Sequence, residues 1–182
     1  MGKISAAVVA TALGAVALLA GLALASSAGP AYLSVSSFSS TSKNKSTARL
    51  AVTTKAPIPR HPNAFIRANP AVGFGWVDIA TVKAFVITIH PVLSRDSHQN
   101  PRAWHAHTVR LGGGFAIAPD DYCIASIEAS PTAGISIHGK TMRVNVRKSK
   151  LPVRPQDFDF ATGFTLQHDS FCSSGLAIRV ST

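Results

Sequence analysis

The sequence predicts an all-β protein. The expected form is a single β-sandwich, Greek-key, immunoglobulin-like or barrel-like, behind an N-terminal hydrophobic helix and a disordered linker. Three observations predict it. From residue 72 onward apolar residues recur with period two, the mark of half-buried strands. The apolar runs are short and separated by turn-forming residues. Outside the N-terminus no window shows the 3.6-residue period of an amphipathic helix. A length of 182 residues fits one domain of ordinary size. With 46% hydrophobic and 14% charged residues, a wholly disordered chain is excluded.

Lys3 precedes an uncharged apolar run from Ile4 to Ala25 that ends in Ala23-Leu24-Ala25. Small residues at those positions suit signal-peptide cleavage. The run is also long enough to span a bilayer, so residues 1–25 are read as a signal peptide or a membrane anchor. Either places the rest of the chain outside the cytoplasm.

Residues 26–69 read as a linker. Ser34 to Thr47 is rich in Ser, Thr, Lys and Asn, and Pro57, Pro59, Pro62 and Pro70 follow. This stretch holds Lys43, Lys45, Arg49, Lys55, Arg60 and Arg67 and no acid. The net charge of +10 is therefore concentrated here, whereas residues 70–182, with eleven basic and eight acidic groups, carry only +3. Interleaved aromatics are missing, so nucleic acid is not an expected partner. A membrane or another anionic envelope surface is; the alternative is a tether that only solubilises. A protein partner cannot be named.

The domain is expected over 70–182. Strand-like stretches are Phe74 to Ile79, Lys83 to His90, Trp104 to Leu111 and Tyr122 to Glu128. Ile135 to His138 and Met142 to Val146 form a hairpin around Gly139-Lys140. Phe158 to Leu166 and Leu176 to Val180 complete about eight strands. Cys123 and Cys172 are the only cysteines, and an even count in an exported chain predicts one disulfide. A copper-ligand role for Cys172 is excluded because no His or Met follows it closely.

Four of the seven histidines, His90, His98, His105 and His107, fall between residues 90 and 107. His105 and His107 are two apart on an expected strand and so share a face. His90 ends the preceding strand, and His98 and Asp96 lie in the intervening loop. Three or four imidazole nitrogens, with an oxygen from Asp96, suit copper(II) or zinc. The plainer alternative is histidines at the core's edge that hydrogen-bond to backbone. Gly112-Gly113-Gly114 is not a phosphate loop, since no Lys-Ser/Thr and helix follow. Asp157 and Asp159, with Asp120 and Asp121, are a calcium candidate, against ordinary turn residues. No nucleophile elbow is present.

The block Asp96-Ser97-His98-Gln99-Asn100-Pro101-Arg102-Ala103-Trp104-His105-Ala106-His107-Thr108, the Leu111-Gly112-Gly113 turn and Ala161-Thr162-Gly163-Phe164 resemble exported β-rich proteins of ammonia-oxidising archaea. The likeness covers roughly residues 74–182. That group carries no activity to transfer; it implies an extracytoplasmic setting and favours copper. Locally, a His-x-His on a strand is similar to the copper pair of copper-zinc superoxide dismutase, which implies a metal role for His105 and His107 alone. Downstream, only His138 and His168 follow, widely separated.

The functional expectation is an exported, membrane-tethered β-sandwich binding module that takes copper or zinc on its histidine cluster. The alternatives are a cofactor-free envelope structural or interaction protein, and a small metal-dependent redox enzyme with one open coordination position.

Overall fold

The computed structural model describes residues 29–62, 71–90, 103–112 and 121–181. The apolar run 4–25, and with it the expected N-terminal helix, lies outside these residues. The described chain is all-β. Ten strands form two layers: a closed antiparallel barrel and a four-stranded sheet.

The barrel has the order β10-β6-β5-β4-β3-β9. Its strands are β3 (Ala71–Asp78), β4 (Lys83–Ile89), β5 (His105–Gly112), β6 (Asp121–Ala129), β9 (Phe160–His168) and β10 (Leu176–Ser181). The second sheet has the order β1-β2-β8-β7, from β1 (Val35–Ser42), β2 (Thr47–Thr54), β7 (Gly134–His138) and β8 (Thr141–Arg147). The eight strands expected from residue 74 onward are all present, and the barrel-like form is the one adopted. The β7–β8 turn falls at Gly139, whose φ of +56° a side chain would strain.

Alternation decides what each strand buries. Val72, Phe74 and Trp76 of β3, with Phe85, Ile87 and Ile89 of β4, pack against Leu50 and Val52 of β2 and Met142, Val144 and Val146 of β8. The intervening residues form a second cluster: Val77, Ala84, Val86, Val109, Leu111, Ile124, Phe164, Leu166 and Ile178 among them. These come from all six barrel strands, and only the lumen of a closed barrel brings all six inner faces together. The lumen is filled, with a residual cavity of about 20 Å³.

The linker expected over 26–69 is overturned for its described part. Residues 35–54 are a β-hairpin that supplies half of the second sheet. Ala48, Leu50 and Val52 are fully buried and alternate with Thr47, Arg49, Ala51 and Thr53. Their inward stripe pairs with β8 from Thr47 opposite Arg147 to Thr53 opposite Thr141. Asn44 closes the hairpin, its Oδ1 accepting from the Ser46 and Thr47 amides at 3.0 and 2.7 Å, as Asx turns do. Leu33, in a 3₁₀ turn at Ala31–Leu33, is also fully buried. A Cβ on Gly163 of β9 would collide with the Leu33 carbonyl, so this segment lies directly on the barrel wall.

Cys123 and Cys172 form the expected disulfide. It joins β6 to the turn between β9 and β10 and closes a loop with a sequence separation of 49, worth about 4 kcal/mol in the chain-entropy model. A disulfide points to an oxidising, extracytoplasmic location.

Because Leu50 sits in the shared core, Leu50→Ala should cost roughly 2–5 kcal/mol in equilibrium denaturation; a flexible tether would give no change. Burial pushes the Tyr32 phenol up to about 12. A folded-state pKa above the unfolded value means that the stabilisation is complete below about pH 10 and is lost as pH rises towards 12. Absorbance titration should therefore show one phenol of the folded chain ionising near 12, and the Tyr32→Phe variant should lose that step.

Candidate metal centre

The site begins with the pairing of β4 and β5. Their register sets Thr88 opposite His105 and Val86 opposite His107. His105, His107, Val109 and Leu111 share one face of β5, and Val109 and Leu111 belong to the lumen cluster. The two histidines thus continue the inward stripe. On β4 the same stripe runs through Ala84, Val86 and Thr88 to His90. His90 lies one residue past the strand but precedes Pro91 in the sequence, and a residue before proline is held extended. The strand direction therefore carries on to His90 and brings it diagonally across from His105.

All three rings are buried, with 5%, 6% and 3% exposure for His90, His105 and His107. Each offers one ring nitrogen, and the three lie within 4.8 Å of one another. His105 stands edge-on to both His90 and His107, with ring centroids 4.6 and 4.9 Å apart. Among the described residues this is the group of three or more side chains that can hold one metal ion. His98 and Asp96 lie outside the described residues.

Hydrogen bonds fix the outer edges of the rings. His105 Nδ1 donates to the Ala103 carbonyl at 3.0 Å, and His107 Nδ1 meets the Ser130 hydroxyl at 2.8 Å. His105 Nε2 lies 2.9 Å from His90 Nε2. A carbonyl only accepts, so His105 carries its proton on Nδ1. With neutral rings its Nε2 then accepts, and His90 donates from Nε2. Backbone and hydroxyl partners on Nδ1 are the supports that orient a ligating imidazole and leave Nε2 for the metal.

The geometry is near that of a bound ion. Bonds of about 2.0–2.1 Å to zinc or copper limit any two ligand nitrogens to about 4.2 Å, with about 3.4 Å ideal for a tetrahedron. To reach the tetrahedral spacing, nitrogens up to 4.8 Å apart must close by as much as about 1.4 Å, and the 2.9 Å His90–His105 contact must open by about 0.5 Å. Three neutral nitrogens fit copper(II) or zinc and not the oxygen-seeking calcium or magnesium.

Ser130 is the residue that the sequence did not flag. It follows β6, 23 positions from His107, and the β5–β6 pairing, with Thr108 opposite Ala129, brings it there. The acidic candidates are engaged elsewhere. Asp157 accepts two hydrogen bonds from Arg154, at 2.9 and 3.1 Å, and these hold its carboxyl below the usual range. Asp159 accepts from the Ile79 amide at 2.7 Å. Both are turn and strand-end residues. Asp120 and the Asp121 side chain lie outside the described set.

Comparison of the chain with protein-family models, with curated proteins and with solved structures finds no match.

The hydrogen-bond pattern fixes tautomers that NMR can check. Two-dimensional imidazole ¹⁵N–¹H correlation of the metal-free chain at neutral pH should show His105 protonated at Nδ1 and His90 at Nε2. An Nε2-protonated His105 would contradict the arrangement.

Proposed function

We propose that this chain is an exported metal-binding module that captures one copper or zinc ion on His90, His105 and His107. The observation that carries the proposal is the convergence of three buried ring nitrogens within 4.8 Å at one end of a β4–β5 pair. Burying three polar rings in a lumen otherwise filled by Val, Leu, Ile and Phe costs stability unless their nitrogens are satisfied. A shared ion satisfies all three at once. The donor set suits either metal, and the likeness to exported proteins of copper-using archaea favours copper. The segment 91–102 leaves from His90 and returns beside Ala103, so Asp96 and His98 are the proposed source of a fourth ligand. The disulfide supports an extracytoplasmic setting. The apolar run 4–25 is the proposed export signal or anchor.

Two outcomes follow for the full chain. Elemental analysis and titration should give close to one copper or zinc per chain. The His105→Ala/His107→Ala variant should lose that uptake while keeping its disulfide and β-type circular dichroism. A folded wild type without stoichiometric uptake would overturn the proposal. Ser130→Ala, which removes only the support of His107, should weaken affinity by about tenfold, and Asp96→Ala or His98→Ala should weaken it less than loss of His105. Metal at a hundredfold excess over its dissociation constant should also raise wild-type stability by about 2.7 kcal/mol, and not that of the double variant.

A further inference from the structure

The outer face of the four-stranded sheet has a charge pattern that the metal site does not use. On β8, Arg143 and Arg147 are exposed and flank Asn145, and Arg49 of β2 stands opposite Asn145. Residues two apart on one strand point the same way. Diagonal cross-strand neighbours lie roughly 7–8 Å apart. The three arginines therefore share one face, with Arg49 diagonal to both Arg143 and Arg147. The β1–β2 turn adds Lys43 and Lys45 at the same end. Lys148 joins them, because its amide donates to the Ser46 carbonyl at 2.8 Å.

Among the described residues no ion pair answers these cations. The strands β1, β2, β7 and β8 and the turns within their two hairpins contain no Asp or Glu. Asp157, the acid closest in sequence to β8, is already bound to Arg154. Like charges at neighbouring sheet positions destabilise the sheet, so this cluster does not serve the fold.

We propose that this face docks on the anionic headgroups of a lipid bilayer. The outward positions beside the cations are small: Ser37, Ser39 and Thr41 on β1, Thr47, Ala51 and Thr53 on β2, Thr141 on β8. They offer no aromatic platform for stacked bases and no apolar wedge for insertion. What remains is an open cationic sheet matched to a plane of phosphates. The chain's own connectivity favours the same occupant. The uncharged run Ile4 to Ala25 ends four residues before Gly29, where the described body begins. The six residues from Ala25 to Ala31 reach at most about 20 Å. With the run in a bilayer, the folded body has no long tether and the sheet lies within reach of the headgroups.

The test uses the full chain incorporated into vesicles, with amine-labelling rates read lysine by lysine. In vesicles with about one-third phosphatidylglycerol, Lys43, Lys45 and Lys148 should label at least about fivefold more slowly than in pure phosphatidylcholine, the effect of roughly one cation's attraction to the surface. Lys83, on the barrel, should not change. Raising salt to 1 M, where the Debye length is about 3 Å, should abolish the difference. Arg49→Gln/Arg143→Gln/Arg147→Gln should abolish it at low salt. If that variant fails to fold, Arg143→Gln alone should reduce the protection, and the wild-type salt dependence stands by itself. Equal labelling in the two kinds of vesicle would overturn the proposal. So would equally strong protection by soluble polyphosphate in neutral vesicles, which would assign the face to a polymer.

Discussion

When β9 pairs with β3, from Ala71 opposite Leu166 to Val77 opposite Phe160, the six-stranded sheet loses both its edges. Every strand must then face a lumen on one side. On β3 and β4 the other side is equally apolar, and all eight residues of β3 are buried. That outer apolar face needs a cover, which the sheet β1-β2-β8-β7 provides through Leu50, Val52, Met142, Val144 and Val146. Closure thus sets the lumen, the lumen sets the direction of His105 and His107, and the covered outer wall demands the second sheet.

The histidines end the inward stripes at a place where further aliphatic packing would have been the simpler solution. Their mutual contact and the bonds to the Ala103 carbonyl and the Ser130 hydroxyl satisfy part of the cost of burial. The same contacts restrict ring rotation before any ion arrives. Preorganisation of this kind lowers the entropic cost of binding. The His90–His105 contact also has a chemical consequence: a single proton lies between two nitrogens. An ion that took both nitrogens would shift that proton to His90 Nδ1, a change of tautomer that releases no proton.

Much of this was legible in the sequence because a strand with one buried face writes its register as alternation. Phe85, Ile87 and Ile89 announced one face of β4, and His105, His107, Val109 and Leu111 announced one face of β5. The hairpin of β1 and β2 was not legible, and the reason is physical. β1, Val35–Ser42, is an edge strand with mostly exposed Ser and Thr, a composition shared with linkers. On β2 only three side chains, Ala48, Leu50 and Val52, carry the inward stripe, and Arg49 between them read as tether charge. Asn44 in the turn was the missed signal, since its side chain closes the hairpin locally. The partnership of His107 with Ser130 was hidden for a different reason: it follows from the exact β5–β6 register, which is shifted at two places and which alternation within one strand does not encode.

The hairpin's misreading had a second effect, on where the positive charge resides. In a flexible tether, Lys43, Lys45 and Arg49 would be spread over a changing volume, and their attraction to any surface would be diffuse. On the sheet Arg49 is held opposite Asn145, between Arg143 and Arg147, and Lys43 and Lys45 sit in the turn that closes its hairpin. The inward residues of β8 hold the common core while its outward residues carry the charge. The histidines, in turn, point away from that core into the barrel. A β-sheet separation of about 10 Å therefore stands between the cationic face and the barrel wall behind which the rings lie. Substitutions on the two sides share no partner, so their effects on stability should add. Only the buried layer between them, Leu50 and Val52 against Phe74 and Trp76, can disturb both.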